Sequence, residues 1–321
     1  MTAAPKNVVR IGLSAAIVSV AEERPRVLVV HHAKSPDALP FGPFDPLEHR
    51  TLESGLRSWV GEQTHLDLGY AEQLYTFGDR GRHMVKSGEG PRVVSVGYLA
   101  LMRAGSELKM PDTLWRDWYL FFPWEDWRNA RPAVVGELIV PALAAFAKTA
   151  SGQEAERRRE RVRLAFGIEG IAWDEEKVLE RYELLYEAGL VEEAVRDGRA
   201  TGDKLPQQSL GASMTFDHRR ILATAIARLR GKMKYRPVVF ELMPASFTLL
   251  ELQRTVEAIS GIRLHKQNFR RLVEDQGLVE GTGKSARAAR GRPAELFRFR
   301  REVLGERPAP GVRLGGRRAG G

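Results

Sequence analysis

Nine polar residues near the end of this chain have the side chains needed to hold a polyanion. Lys266, Gln267, Asn268, Arg270 and Arg271 crowd into one short stretch, and Lys284, Arg287, Arg290 and Arg292 follow in a run rich in Gly and Ala. Lysine and arginine neutralise phosphates, and the amides of Gln267 and Asn268 match the N6 and N7 edge of adenine. Segment 262–321 holds 15 Lys/Arg against 6 Asp/Glu, which is the whole net charge of +9; the 261 residues before it balance at 35 of each sign. An excess confined to one end is the footprint of a nucleic-acid-binding module rather than a general aid to solubility. Double-stranded DNA is the expected partner. Single-stranded RNA fits less well, because no paired aromatic platform accompanies the charge.

Those side chains need elements to aim them. Thr248 can cap the N–H of Glu251 while Glu251 reaches back, and Phe247 can pack on Leu252. A helix is expected to start there, with Leu249, Leu252, Val256 and Ile259 on one face and Gly261 as its left-handed stop. After a short turn a second helix places Phe269, Leu272 and Val273 on one stripe and Gln267, Arg270 and Arg271 on the other side, with Lys266 beside them. Segments 278–280 and 296–300 read as strands joined by the basic loop. Helix, turn, helix and basic hairpin is the order of a winged helix, whose second helix enters the major groove. Gly291-Arg292-Pro293 also resembles an AT-hook, suited to a narrow minor groove.

Composition bounds the rest. The chain of 321 residues is 43% hydrophobic and 28% charged, long enough for more than one packed domain. It contains no cysteine, which excludes disulfides, thiolate catalysis and cysteine-based zinc modules. The apolar run from Ile11 to Ala21 reads as the first strand of a hairpin turning at Glu22-Glu23-Arg24-Pro25, not as a leader. No stretch is long and apolar enough for a bilayer, so a cytoplasmic protein with no membrane partner is expected.

Residues 8–104 alternate strands at 8–20, 26–32, 70–77 and 92–102 with one amphipathic helix over about 50–63. The layout resembles the Nudix fold, whose loop and helix carry the box GX5EX7REUXEEXGU. In that register Ser58-Trp59 stands on the box's Arg-Glu pair, Glu62-Gln63 on its Glu-Glu pair, and His65 on its last glycine; the loop before it is about two residues longer. The box uses carboxylates at i, i+3 and i+4 to gather hard cations, and Trp59, Glu62 and Gln63 retain one of the three. No metal site, no catalytic residue and no efficient Mg²⁺-dependent hydrolysis are expected. Beyond the box, residues 72–79 and 92–101, Phe216-Asp217-His218, residues 235–244, Asn268-Phe269-Arg270-Arg271 and residues 290–296 together resemble the Nudix-related transcriptional regulators of NAD metabolism called NrtR. The insertion at 112–215, with Trp115, Trp118, Trp124 and Trp127, resembles the alphaproteobacterial branch called NadQ.

The expected fold class is therefore α+β: an N-terminal Nudix-like α/β/α sandwich (1–111), a Trp-rich helical insertion packed on the sensor or a dimer interface (112–215), and a linker helix with a C-terminal winged helix-turn-helix (216–303). A basic tail (304–321) rich in Gly, Pro and Arg reads as disordered. The resemblance implies a repressor of NAD biosynthesis genes with a nucleotide effector, ADP-ribose, NAD or ATP, and no required cofactor. Phe44, Phe77, Arg80, Arg82 and His83 are the candidates to stack its adenine and neutralise its diphosphate, with Glu62 and Gln63 bonding sugar hydroxyls. A homodimer on a palindromic operator is expected, since one short recognition helix makes few base contacts. The competing reading is a working Nudix hydrolase of ADP-ribose or a related dinucleotide, in which Glu48 and Glu53 replace the missing ligands.

Overall fold

The computed structural model describes residues 9–79, 92–105, 108, 110–202, 210–286, 293–306 and 308–312. Two strands, β1 (Val9–Ala21) and β2 (Arg24–Val30), form an antiparallel hairpin, followed by the short β3 (Phe41–Pro43) and helix α1 (Leu52–Thr64). Next come β4 (Tyr70–Phe77), β5 (Arg92–Leu101) and β6 (Thr113–Asp117). The sheet runs β4-β5-β1-β2-β6, with β3 also paired to β1, and only the central β1–β5 pair is parallel. β6, the first element of the stretch read as an insertion, is thus an edge strand of the sheet, held to β2 from Arg26↔Asp117 to Val30↔Thr113.

Pleating sends alternate residues of β1 to opposite faces. Leu13, Ala15 and Ile17 meet Leu56 and Val60 of α1 on one side. Ala16 and Val18 face a larger core on the other, which includes Ile221, Leu222, Ala225 and Leu229. Those four belong to α6 (His218–Met233), reached after α2 (Val140–Lys148), α3 (Gly152–Phe166), α4 (Val178–Glu187) and α5 (Glu192–Arg196). These four residues of the helix expected to be a linker are fully buried, because α6 lies along β1, β4 and β5 as the second outer layer of the sandwich. A boundary at 216 would cut through this layer. Trp118 and Trp124 are also completely buried, and Trp127 packs on Trp173 with ring centroids 4.2 Å apart. The tryptophans serve the core, as their area makes them suited to do.

The last elements are α7 (Leu249–Ser260), α8 (Lys266–Asp275), the hairpin β7 (Val279–Ser285) and β8 (Glu295–Phe299), and the short helix α9 (Val303–Glu306), which reaches into the stretch expected to be a disordered tail. No helix among the described residues is long and apolar enough to cross a membrane.

Candidate nucleic-acid interface and nucleotide cleft

Local chemistry aims the recognition helix. Thr248 Oγ1 accepts from the Glu251 amide at 3.2 Å, and the Glu251 carboxylate accepts from the Thr248 amide at 2.7 Å, closing the capping box of α7. Phe247 exchanges two backbone hydrogen bonds with Phe297 of β8, an isolated antiparallel bridge that ties the start of α7 to the two-stranded wing. Gly261 ends α7 in the left-handed region at φ 74°. The turn that follows is organised by Glu257, a residue that sequence reading missed. Its buried carboxylate accepts from Gln253 Nε2, the Leu264 amide and the guanidiniums of Arg254 and Arg263. Burial alone would raise its pKa, but the Leu264 N–H, Gln253 and Arg263 outweigh that and hold it below the usual value.

In α8, Phe269 and Val273 are buried and Leu272 is half-buried. Lys266, Gln267, Asn268, Arg270 and Arg271 are all exposed, as is Lys284 on β7. None of the four cations among these six has an ion-pair partner among the described residues, whereas Arg298 and Arg300 of the wing are tied to Glu280 and Glu306. A face with this much uncompensated positive charge is matched to phosphate. Arg287, Arg290 and Arg292, with the AT-hook-like core, lie outside the described residues.

At the other end of the molecule, α1 starts on a capping box of Thr51 and Ser54 and stops at His65. His65 is left-handed, at φ 55°, a conformation that ordinarily favours glycine and the one its alignment with the box's last glycine requires. Of the side chains at the box's former ligand positions, Trp59 and Gln63 turn to the backbone of β3. Trp59 Nε1 donates to the Pro43 carbonyl at 2.6 Å, and the Gln63 amide both donates to Phe41 O at 2.7 Å and accepts from Phe41 N at 3.1 Å. Both ends of the Gln63 amide are therefore engaged with β3, leaving one further N–H and one further lone pair. Glu62 is exposed and accepts from Ser58 Oγ. Glu53 is bound to Arg57 by two hydrogen bonds, which occupies one of the carboxylates that an active hydrolase would need; Glu48 is exposed. Among the described residues no three His, Cys, Asp or Glu side chains come together as a metal-holding group.

Phe44 is half-buried with its ring 6.0 Å from that of His49, on the α1 side of the sheet. Phe77 is only 1% exposed, under the Arg220 guanidinium and in the core with α6. Its β-strand position turns the ring inward, so the adenine-stacking role expected for it is taken over by packing. Arg80, Arg82 and His83 lie outside the described residues. A cleft of about 610 Å³ lies away from α1, between the β1–β2 turn and α7, with Val20, Met243, Leu250, Arg103 and Arg254 in its walls.

The two ends are joined by a closed polar junction. Glu125, 1% exposed, accepts from Arg181 of α4 at 2.6 and 2.8 Å and from Arg230 of α6 at 2.6 Å. Arg230 also donates from Nε to Ile259 O, the Tyr119 hydroxyl donates to Ala258 O, and the Trp127 amide donates to Gly261 O. These are carbonyls at the C-terminal end of α7, the groups a helix leaves without internal partners. The residue before the recognition turn is thereby anchored to both α6 and the tryptophan segment.

Comparison with known proteins agrees with both ends. Residues 239–299 match the family model described as the NrtR DNA-binding winged helix domain. Residues 239–299 are thus similar to an NrtR winged helix, and the fold as a whole is similar to Nudix-related structures. A curated relative, the ADPR responsive transcriptional repressor NtrR of Acinetobacter baylyi, is 44% identical over 93 residues; that stretch is 29% of this chain and 37% of the relative's length. The crystal structure of Shewanella oneidensis NrtR complexed with a 27mer DNA superposes with a TM-score of 0.52 at 21% identity, covering 92% of this chain and 95% of that one. A MutT/nudix family protein from Enterococcus faecalis superposes at 0.50 with 15% identity, over 94% of this chain and 90% of that one. At these identities the superpositions show the fold. The NrtR match begins just after α6.

Proposed function

We propose that this protein is a DNA-binding repressor that senses a nucleotide through its Nudix-like domain and does not hydrolyse it. One observation carries the reading: a segment similar to an NrtR winged helix presents exposed Lys266, Gln267, Asn268, Arg270 and Arg271, and the three cations have no ion-pair partner among the described residues. Lys284 adds to that face, and Arg287, Arg290 and Arg292, which follow it in the chain, supply further charge for the backbone of a duplex. ADP-ribose is the first effector to test, because the Acinetobacter relative is described as ADPR responsive; NAD and ATP share its adenine and diphosphate. The ligand's place is the α1 side of the sheet, with Phe44 and Glu62 as the described candidates and Arg80, Arg82 and His83, between β4 and β5 in the chain, as the cations for its diphosphate. A homodimer on a palindromic operator supplies the base contacts one α8 lacks. Loss of hydrolysis follows from Trp59 and Gln63 at the ligand positions, since an indole and an amide engaged with backbone cannot gather Mg²⁺.

Selection of bound duplexes from a random pool, followed by anisotropy titration with and without ADP-ribose, tests the reading. Enrichment of a palindromic site whose affinity changes with ADP-ribose is expected. In parallel, ADP-ribose with Mg²⁺ is expected to give no AMP above the protein-free control. Absence of any enriched site, or AMP released over many turnovers, would leave the hydrolase with a basic appendage as the better account.

A further inference from the structure

The positions that lost their carboxylates have acquired another set of bonds, and those bonds lead away from the cleft. Trp59 and Gln63 together make three hydrogen bonds to the backbone of β3. The fit over Gly42 is equally tight. A Cβ there would lie 2.1 Å from an indole carbon of Trp59, so glycine alone lets the ring lie against the strand. β3 is fastened to α1 along its whole length.

The same short segment is fastened on its other side to the start of α6. The Leu39 amide donates to His218 Nδ1 at 3.1 Å. The Phe41 ring stands edge-on to Phe216 at 5.8 Å and to His218 at 5.0 Å. The Thr215 amide donates to Asp37 O at 3.0 Å and its hydroxyl to Pro36 O at 2.8 Å. Phe216 itself is left-handed at φ 50°, a conformation that is strained for an aromatic residue and that persists where surrounding contacts over-determine it.

We infer that Trp59 and Gln63 are positioning residues: they lock segment 37–43 to α1, and through Leu39 and Phe41 that segment sets the start of α6. Since α6 carries Arg230 to the carbonyl of Ile259, the chain of contacts runs from the degenerate box to the end of α7. Each link is a hydrogen bond between a side chain and the backbone, or a ring contact, the kind of contiguous connection that can bias one element from another. Its consequence for DNA rests on the sensor reading proposed above. The link itself does not.

The test therefore begins without nucleotide or DNA. In the full chain, Trp59→Phe with Gln63→Leu keeps a ring over Gly42 and removes all three bonds to β3. Hydrogen exchange followed by mass spectrometry is expected to accelerate about tenfold or more in peptides covering 38–43 and also in those covering 214–222, with β7 and β8 at wild-type rates. Acceleration confined to 38–43, or none at all, overturns the inference. If exchange rises everywhere, Phe41→Ala decides: it removes the ring from Phe216 and His218 but leaves the Gln63 bonds, which are to backbone. Acceleration at 214–222 supports the link, and wild-type rates there overturn it. The factor by which ADP-ribose changes DNA affinity is then expected to shrink at least threefold in the double variant. A wild-type protein with no response to ADP-ribose would sink the sensor reading alone, because the exchange experiment has already judged the link.

Discussion

Glu125→Ala is expected to destabilise the protein by about 3–5 kcal/mol, the range found when one partner of a buried ion pair is removed. The attraction between charges matters less here than what the substitution leaves behind. Arg181 and Arg230 are both fully buried, and alanine would strand two guanidiniums out of water with no counter-charge. The urea midpoint should fall with little change in slope. A loss below about 1 kcal/mol would mean that water reaches the junction and that it is not closed, contrary to the geometry. The dependence on pH has a definite sign. Burial on its own would raise the pKa of Glu125, but the charges of Arg181 and Arg230 prevail and hold it below the ordinary carboxylate range. A carboxylate with a lowered folded pKa contributes fully above its unfolded pKa and loses that contribution as pH falls through the folded value. Glu257 shifts in the same direction, as does Glu72, where Lys232 overcomes burial. The wild type should therefore lose stability in acid while the gap between it and Glu125→Ala narrows.

Much of the reader was legible in the chain because its signals are local. A threonine three residues before a glutamate, a glycine after the last apolar repeat and a stripe of Phe269, Leu272 and Val273 each act within one or two helical turns. The structure places α7, its caps and α8 where those signals lie. What could not be read is tertiary. Nothing near Gln63 announces that its amide will be spent on Phe41, 22 residues away, or that Glu125 will meet an arginine 105 residues further on. Phe77 and the α6 seam have the composition of either a ligand wall or a core, and only the parallel pairing of β1 with β5 and the position of α6 across them assign both to the core. The number of cations likewise says nothing about their availability. Arg298 and Arg300 look as useful as Arg270 in sequence, yet the first two are neutralised by neighbours.

That difference in availability sets the largest expected effect on binding. With Lys266, Arg270, Arg271 and Lys284 all changed to alanine, the slope of log affinity against log salt should become shallower by about 3 to 4, at about 0.9 for each phosphate that is no longer neutralised. At roughly 1 kcal/mol for each such phosphate, affinity for any duplex should drop on the order of a thousandfold at moderate salt. Arg298→Ala is the matched control, because its guanidinium already serves Glu280 and the slope should stay close to wild type. Gln267→Ala should behave differently from both. An amide releases no counterions, so its removal leaves the salt slope intact while flattening preference at one base pair by about 1–3 kcal/mol. Anisotropy titrations at two or more salt concentrations, on a selected site and on a scrambled duplex, separate the two effects. If the quadruple variant keeps the wild-type slope, the duplex does not lie on α8 and β7, and the exposed charge there serves some other purpose. If its slope flattens while Gln267→Ala changes nothing on either duplex, α8 grips the backbone without reading bases, and sequence preference must come from the wing or from the shape of the DNA.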